Sequence, residues 1–498
     1  MLELAVFLCG AVIMVLELTG SRVLAPYLGT SIVVWTSLIG VVLGSLSLGY
    51  WWGGRLADRR PEPRLLSRII LLSAVATLLL AALKGVVLAW LQNKSGIHTT
   101  TLASTVALFA PVSVLLGMVS PFAVRLRMQD AAASGRTAGN LYALSTLGSI
   151  AGTFGAGFWL TATLGTTNIL LCMAGVLVLA SVLVHRGEWG LKVGAAAFVL
   201  LMTAILGLYD AHLRAAMGVH DIDTPYQRVL VYTTNDRYTG RLIRVLATGP
   251  EGVQSAAYAD EPAALAVPYT RYYRLAAHFR PGAQRMLMLG GGGLSFPKYL
   301  VAHPEEFPGA SLDVVEIDPG MTEAAREFLG FADSPAVRLH HDDARRFLSQ
   351  ATAGGYQVAL VDVFTSHLAV PFHLTTVETL RDLSAALDPD GVVLVNCISP
   401  AEGPKSAFYR ALLATYRQVF PRVESFLVQE PDRPEQLQNI VLAAFKNPES
   451  ARLQSSDSKL GPELGALLAS RRDPRPGQSD PPALTDDFAP VDHYLLGL

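Results

Sequence analysis

Four consecutive glycines, Gly290-Gly291-Gly292-Gly293, are followed 23 residues later by Glu316-Ile317-Asp318, then by Asp342-Asp343, then by Asp362. Glycines let a backbone pass close to a ligand, and the helix after such a loop offers free N–H groups to it. A carboxylate about 20 residues further on is placed for a ribose diol. Asp343, at the end of the next apolar run, is placed for a purine amino group. Taken singly, each acid reads first as a loop residue, and the glycines as a tight turn. Acids at the ends of successive strands converge on one crevice, and that convergence favours nucleoside binding.

Those positions require strands and helices in alternation. Arg285–Leu289, Leu312–Glu316, Val337–His340, Val358–Val361 and Val392–Val395 are short apolar runs of strand length, with helical stretches Gly320–Leu329, Asp343–Ala351 and Thr376–Leu387 between them. The pattern predicts a parallel, doubly wound α/β sheet. Upstream, Arg228–Tyr232 and Arg241–Leu246 are separated by turn residues and predict a small β-region at about 220–260.

The order Asp223-Thr-Pro-Tyr-Gln227, Gly252-Val-Gln254, the four-glycine loop, Val-Glu316-Ile-Asp318, Asp342-Asp343-Ala and Val-Asp362 resembles the spermidine synthase (polyamine aminopropyltransferase) family, within the class I methyltransferase-like folds. The resemblance spans about residues 220–447, and Pro371-Phe-His373-Leu-Thr-Thr and Leu484–Pro490 resemble segments of members that carry membrane spans. It implies a Rossmann-like domain whose donor is a sulfonium nucleoside, decarboxylated S-adenosylmethionine or S-adenosylmethionine, with no metal. By the same resemblance Gly290, Gly291 and Gly292 cradle the donor, Glu316 holds its ribose hydroxyls, Asp343 its adenine amino group, and Gln227 the ribose or side chain. Gln254, Tyr269 and Thr365 fall on the side of a small amine substrate. Asp362 matches the catalytic aspartate, whose task is to orient a protonated amine and draw its proton away. The resemblance also implies a homodimer.

Two positions depart from the family. Gly293 and Leu294 stand where Asp-Gly is expected, and Thr365 stands where a second aspartate follows the catalytic one. Both missing carboxylates hold cationic amine groups in the family. Nucleoside binding is therefore expected to be kept and putrescine to be a poor acceptor, with His367 and His373 as candidate substitutes or plain packing residues.

The first 210 residues are a different object. They hold 13 Lys/Arg and 7 Asp/Glu, against 26 and 34 in the remaining 288 residues. Seven apolar stretches are each long enough to span hydrocarbon, about 20 residues: Leu4–Leu24, Ile32–Trp52, Leu65–Leu91, Leu102–Val124, Leu141–Leu164, Thr167–Val184 and Leu191–Leu208. Arg55, Arg59, Arg60, Arg64 and Arg68, then Arg125, Arg127 and Arg136, then Arg186 and Lys192 fall in alternate loops, which predicts a cytoplasmic N-terminus. Gly53–Arg59 resembles a cytoplasmic loop of major-facilitator transporters. Small residues four apart (Gly40/Gly44, Ser45/Gly49, Gly148/Gly152, Ala151/Gly155) predict close helix packing. Glu17 and Arg22 lie within a span and either pair structurally or serve a cation. The partners expected are thus a lipid bilayer and a small amine; a net charge of −2 gives no sign of a nucleic-acid surface, and Cys9, Cys172 and Cys397 lack metal or disulfide spacing.

The division expected is a membrane domain at 1–210, a linker and β-region at 211–260, a nucleoside-binding transferase domain at 261–447 and an exposed tail at 448–498 with a closing segment. The leading function is a membrane-tethered aminopropyltransferase. The alternatives are an S-adenosylmethionine-dependent methyltransferase and a non-catalytic polyamine or nucleoside transporter or sensor. Seven crossings from a cytoplasmic N-terminus would place the second half outside the cytoplasm, where sulfonium nucleosides are scarce. The reading therefore leans to an incomplete first span and a cytoplasmic second half at the cell membrane.

Overall fold

A computed structural model describes residues 1–91, 96–128, 134–249, 252–363, 370–454, 462–472 and 481–495. The chain divides into two compact units, Met1–Gly218 with Ile222–Arg228, and Val219–Asp221 with Val229–Leu498.

The first unit is built of α1 (Leu2–Leu28), α2 (Ile32–Arg59), α3 (Pro63–Leu91), α4 (Ile97–Gly117), α5 (Val119–Arg127), α6 (Ser134–Gly155), α7 (Thr161–Thr163), α8 (Thr166–Val184) and α9 (Trp189–Met217). Among the described residues six helical stretches are long and apolar enough to cross a membrane: Leu2–Leu28, Ile32–Arg59, Pro63–Leu91, Ile97–Arg127, Thr166–Val184 and Trp189–Tyr209. The remaining expected span, Leu141–Leu164, is instead α6, a π-helical turn over Ala156–Leu160, and α7. Glycine, serine and threonine dilute its apolar character.

Close packing holds for only some of the small residues. A Cβ on Gly148 would lie 2.0 Å from the Phe7 carbonyl oxygen, and one on Gly152 2.4 Å from that of Ala11, so α1 and α6 touch backbone to backbone. Gly40, Gly44 and Gly155 face open space. Arg22 does not pair with Glu17. Its guanidinium donates to the carbonyls of Thr161 (2.6 Å) and Thr224. Glu17 makes no hydrogen bond or ion pair among the described residues. The arginine-bearing loops gather at one end of the unit with the start of α1, through Arg127–Glu3, Arg125–Asp58 and the pair Arg64 and Arg68 on Glu188.

A short β1 (His220–Asp223) falls at the division; in the second unit β2 (Arg228–Asn235), β3 (Leu242–Gly249) and β4 (Gly252–Tyr258) form an antiparallel meander. Then follow α10 (Leu275–Phe279), β5 (Arg285–Leu289), α11 (Ser295–Ala302), β6 (Ser311–Val315), α12 (Pro319–Phe328), β7 (Val337–His340), α13 (Ala344–Gln350), β8 (Tyr356–Val361), α14 (Val377–Ala386), β9 (Leu387–Ser399), α15 (Ala407–Val419), β10 (Arg422–Leu427), β11 (Gln438–Phe445), α16 (Pro462–Ala469) and α17 (Val491–Leu495). The main sheet has seven strands in the order β10-β11-β9-β8-β5-β6-β7.

Five of these strands pair in parallel as expected. β10 and β11 do not: β11 runs antiparallel to both β9 and β10. The short connection between them suits a hairpin and not a parallel crossover, which needs a dozen residues or more. Leu287, Leu289, Ala359 and Val361 face one core, while Met286, Met288, Val358 and Leu360 face the other. Burial on both faces is why these strands read as unbroken apolar runs. Strand order reverses at β5, which lies between β6 and β8, so the crevice opens at the ends of β5 and β8.

The stretch expected to be an exposed tail is partly packed. α16 buries Leu464 and Leu468, and Leu484, Val491 and Leu495 join the core. Apolar residues spaced along a polar segment anchored it.

Candidate active site

β5 ends at Leu289, and the chain turns at Gly290 with φ 83°. A Cβ there would lie 2.0 Å from the carbonyl oxygen of Asp362. Only glycine meets both demands. Leu294 then takes a left-handed conformation, φ 54°, and α11 begins.

Glu316, just past β6, closes the other side of this loop. Its Oε2 accepts from the N–H groups of Gly291 (2.8 Å) and Gly292 (3.0 Å), and its Oε1 from that of Asp318 (3.0 Å). The side chain is buried, which raises its pKa above the usual carboxylate value against the pull of those three donors. A carboxylate has about four acceptor positions. Glu316 thus keeps capacity for one further hydroxyl donor.

Asp362 follows β8, and its own N–H donates to the Leu289 carbonyl (2.8 Å), which ties the end of β8 to the end of β5. Its Oδ2 accepts from the Tyr269 hydroxyl (2.7 Å) and its Oδ1 from the Asn396 amide (3.0 Å). Tyr269 sits in a 3-10 turn, Pro268–Arg274, edge-on to Tyr273. The buried hydroxyl of Tyr273 lies beside the same carboxylate without closing a hydrogen bond of normal geometry. Burial pushes the Asp362 carboxyl above its usual range, opposed by these donors. Gln254, Ser255, Tyr269, Gly291, Gly292 and Asp362 line one small cleft, floored by Met288 and Phe296.

Asp343 caps α13: its Oδ1 accepts from the N–H groups of Arg345 and Arg346, both at 3.0 Å. Its Oδ2 faces His373 Nε2 at 3.3 Å, so one oxygen caps the helix and the other meets His373. Segment 484–490 returns to this corner. Arg345 holds both carboxylate oxygens of Asp486, Thr376 donates to the same group (2.8 Å), and the Asp486 N–H donates to Glu378 (3.0 Å). The Arg345 guanidinium keeps the Asp486 carboxyl below its usual range.

The structure therefore brings together Gly290, Gly291, Gly292, Glu316, Asp362, Gln254 and Tyr269. Gln227 belongs to the first unit, where its carbonyl accepts from the N–H and hydroxyl of Thr224. Thr365 and His367 lie outside the described residues. Gly293 has no room for the missing aspartate: a Cβ would lie 2.5 Å from both Ser255 Cβ and Leu329 Cδ1. Ser255 Oγ instead accepts the Gly293 N–H at 2.9 Å.

Ser255 and Asn396 were missed by sequence reasoning. A polar Asn396 closing the apolar run Val392–Val395 was the available signal, since a buried amide in a strand must find partners. Nothing in the sequence distinguished Ser255 from its neighbours.

Residues 272–453 match the spermine/spermidine synthase domain family. The polyamine aminopropyltransferase of Vibrio vulnificus is 31% identical over 215 residues, covering 43% of this chain and 68% of that protein. Polyamine aminopropyltransferase 1 of Streptomyces coelicolor is 26% identical over 449 residues, 82% of this chain and 77% of that one. Among solved structures, a probable spermidine synthase from Corynebacterium glutamicum matches with a TM-score of 0.41 at 22% identity, covering 49% of this chain and 88% of the other.

Proposed function

This chain belongs to the polyamine aminopropyltransferase family and is an aminopropyltransferase, and from that premise we propose that it carries the aminopropyl group of decarboxylated S-adenosylmethionine to a small amine while its helical unit holds it at a membrane. One observation carries the reading. The Asp362 carboxylate stands at the switch point of the sheet, held by two donors, in the same cleft as the glycine loop and Gln254.

In this reading Glu316 accepts a ribose hydroxyl at its remaining position while the glycine loop lies along the donor. Asp343 uses the oxygen that meets His373 for the adenine amino group. The amine enters beside Gln254 and Tyr269. Asp362 takes its proton, which frees the nitrogen lone pair. The nitrogen attacks the carbon next to the sulfonium, the C–S bond breaks, and a neutral thioether leaves. A carboxyl held above its usual pKa is a stronger base for that step. Holding nitrogen, carbon and sulfur in line supplies much of the acceleration.

With Gly293 closed to a side chain and Thr365 neutral, an acceptor amine finds one carboxylate in the described cleft, so long diamines are held at one end only.

The test uses the full-length chain in detergent, given decarboxylated S-adenosylmethionine and a panel of amines. Release of 5′-methylthioadenosine supports the reading. Release of S-adenosylhomocysteine from S-adenosylmethionine would replace it with methyl transfer, and binding without turnover with a sensor or transporter.

A further inference from the structure

Asn396 is 2% exposed and lies on β9, one strand away from Asp362. Its Nδ2 donates to Asp362 Oδ1 (3.0 Å) while its Oδ1 accepts from Asn439 Nδ2 (2.8 Å). Asn439 Oδ1 in turn accepts from Gln429 Nε2 (2.6 Å). An amide can be turned end for end, so such a chain has two possible directions. Here one group fixes it. The backbone N–H of Asn439 donates to Gln429 Oε1 at 2.8 Å, and a backbone N–H can only donate. Gln429 must then present its NH2 to Asn439, Asn439 its NH2 to Asn396, and Asn396 its NH2 to Asp362.

We infer that Gln429, Asn439 and Asn396 form a one-way amide relay that positions Asp362 for proton removal and favours its charged form. Every dipole in the row points its positive end at the carboxylate, and chained hydrogen bonds strengthen one another. Gln429 and Asn439 are positioning residues, remote from the reacting atoms. Among the described residues the titratable groups that act on Asp362 are Tyr269 and Tyr273 from the 3-10 turn. β5 leads into the glycine loop, whose carboxylate Glu316 is engaged by backbone N–H groups. From β9 and β11 the groups in the row are the Asn396 and Asn439 amides.

The inference rests on the assignment of Asp362 made above. Its test is Gln429→Glu, which keeps size and still accepts from the Asn439 N–H. The second carboxylate oxygen then meets Asn439 Oδ1, acceptor against acceptor. Asn439 turns over, Asn396 follows, and a carbonyl oxygen replaces the NH2 at Asp362. Without that donor the charged carboxylate is less favoured, and the acid limb of the kcat profile is expected to move up by about one pH unit. Turnover below the limb then falls about tenfold.

In an Asn396→Leu background the same change should shift nothing further. Should Gln429→Glu fail to fold, Asn439→Ala cuts the row and should move the limb the same way, by less. The carboxyl stretch of Asp362 in infrared titration, identified by its loss in Asp362→Asn, reads the shift without turnover. An unmoved limb in a folded Gln429→Glu protein, or a shift that persists in the Asn396→Leu background, overturns the relay. Full turnover by Asp362→Asn overturns the assignment of Asp362 instead.

Discussion

Removing the Tyr269 hydroxyl is the sharpest perturbation of the cleft, because it deletes one donor and leaves a ring that is already buried. Tyr269→Phe keeps the edge-on contact with Tyr273 and loses the 2.7 Å bond to Asp362 Oδ2. A hydrogen bond to a charged group contributes about 1.5–3 kcal/mol, and one pKa unit corresponds to about 1.4 kcal/mol. Burial already holds the Asp362 carboxyl above its usual value, and Tyr269 opposes that rise. Its loss should therefore move the acid limb of kcat upward by about one to two pH units. The stability effect has a definite sign. A carboxyl whose folded pKa lies above the unfolded one stabilises the fold below the unfolded pKa, and that contribution is lost as pH rises through the folded pKa. Raising the folded pKa further makes the variant lose more on the way to neutral pH, so its deficit in melting temperature should be larger near pH 7 than near pH 4. The assay is turnover from pH 5 to 10, with melting curves on the same preparation. A limb that stays where the wild type has it would show that the rate does not report ionisation of Asp362.

Asp362→Asn, nearly the same size, should keep nucleoside affinity and reduce turnover by about 10²–10⁴; calorimetry and 5′-methylthioadenosine release on one preparation check both. Glu316→Gln should weaken donor binding severely and also cost about 1–3 kcal/mol of stability, because its new NH2 faces backbone N–H groups; normal affinity by calorimetry would remove Glu316 from the site. Thr365→Asp should improve use of diamines relative to monoamines in competition assays, and a wild type that already prefers putrescine would show that another group holds the second nitrogen.

The parallel half of the sheet was legible because burial on both faces leaves strands as pure apolar runs: Arg285–Leu289 and Val337–His340 stand where the sequence placed them. β10 and β11 were not, since Arg422–Leu427 interleaves charged and apolar residues beside a proline-rich connection. Asp343 was legible as a strand-end acid, but no pattern could divide its two oxygens between a helix cap and His373. Asp362 stood out by its place after a buried strand. Its partners Tyr269 and Asn396 are 93 and 34 residues away; the sheet order brings Asn396 beside it and the 3-10 turn before β5 brings Tyr269. In the helical unit, length and apolarity marked the spans, while the π turn at Ala156–Leu160 depends on local backbone and left no sign in composition.

The two departures from the family differ in kind. At Thr365 the sequence departs by one side chain, which a single change reverses. Gly293 is embedded: Ser255 and Leu329 fill the space a side chain would need, and the Gly293 N–H is bonded to Ser255 Oγ. An aspartate at 293 would have to displace β4 from the loop or push Leu329 off the end of α12, and either motion would disturb the backbone that Glu316 holds through Gly291 and Gly292. The glycine at 293 thus goes with a close join between β4 and the glycine loop. In the reading proposed above, that join leaves the donor side of the crevice as it is while the amine side lacks an anchor, which is what a transferase that keeps its donor and changes its acceptor would require.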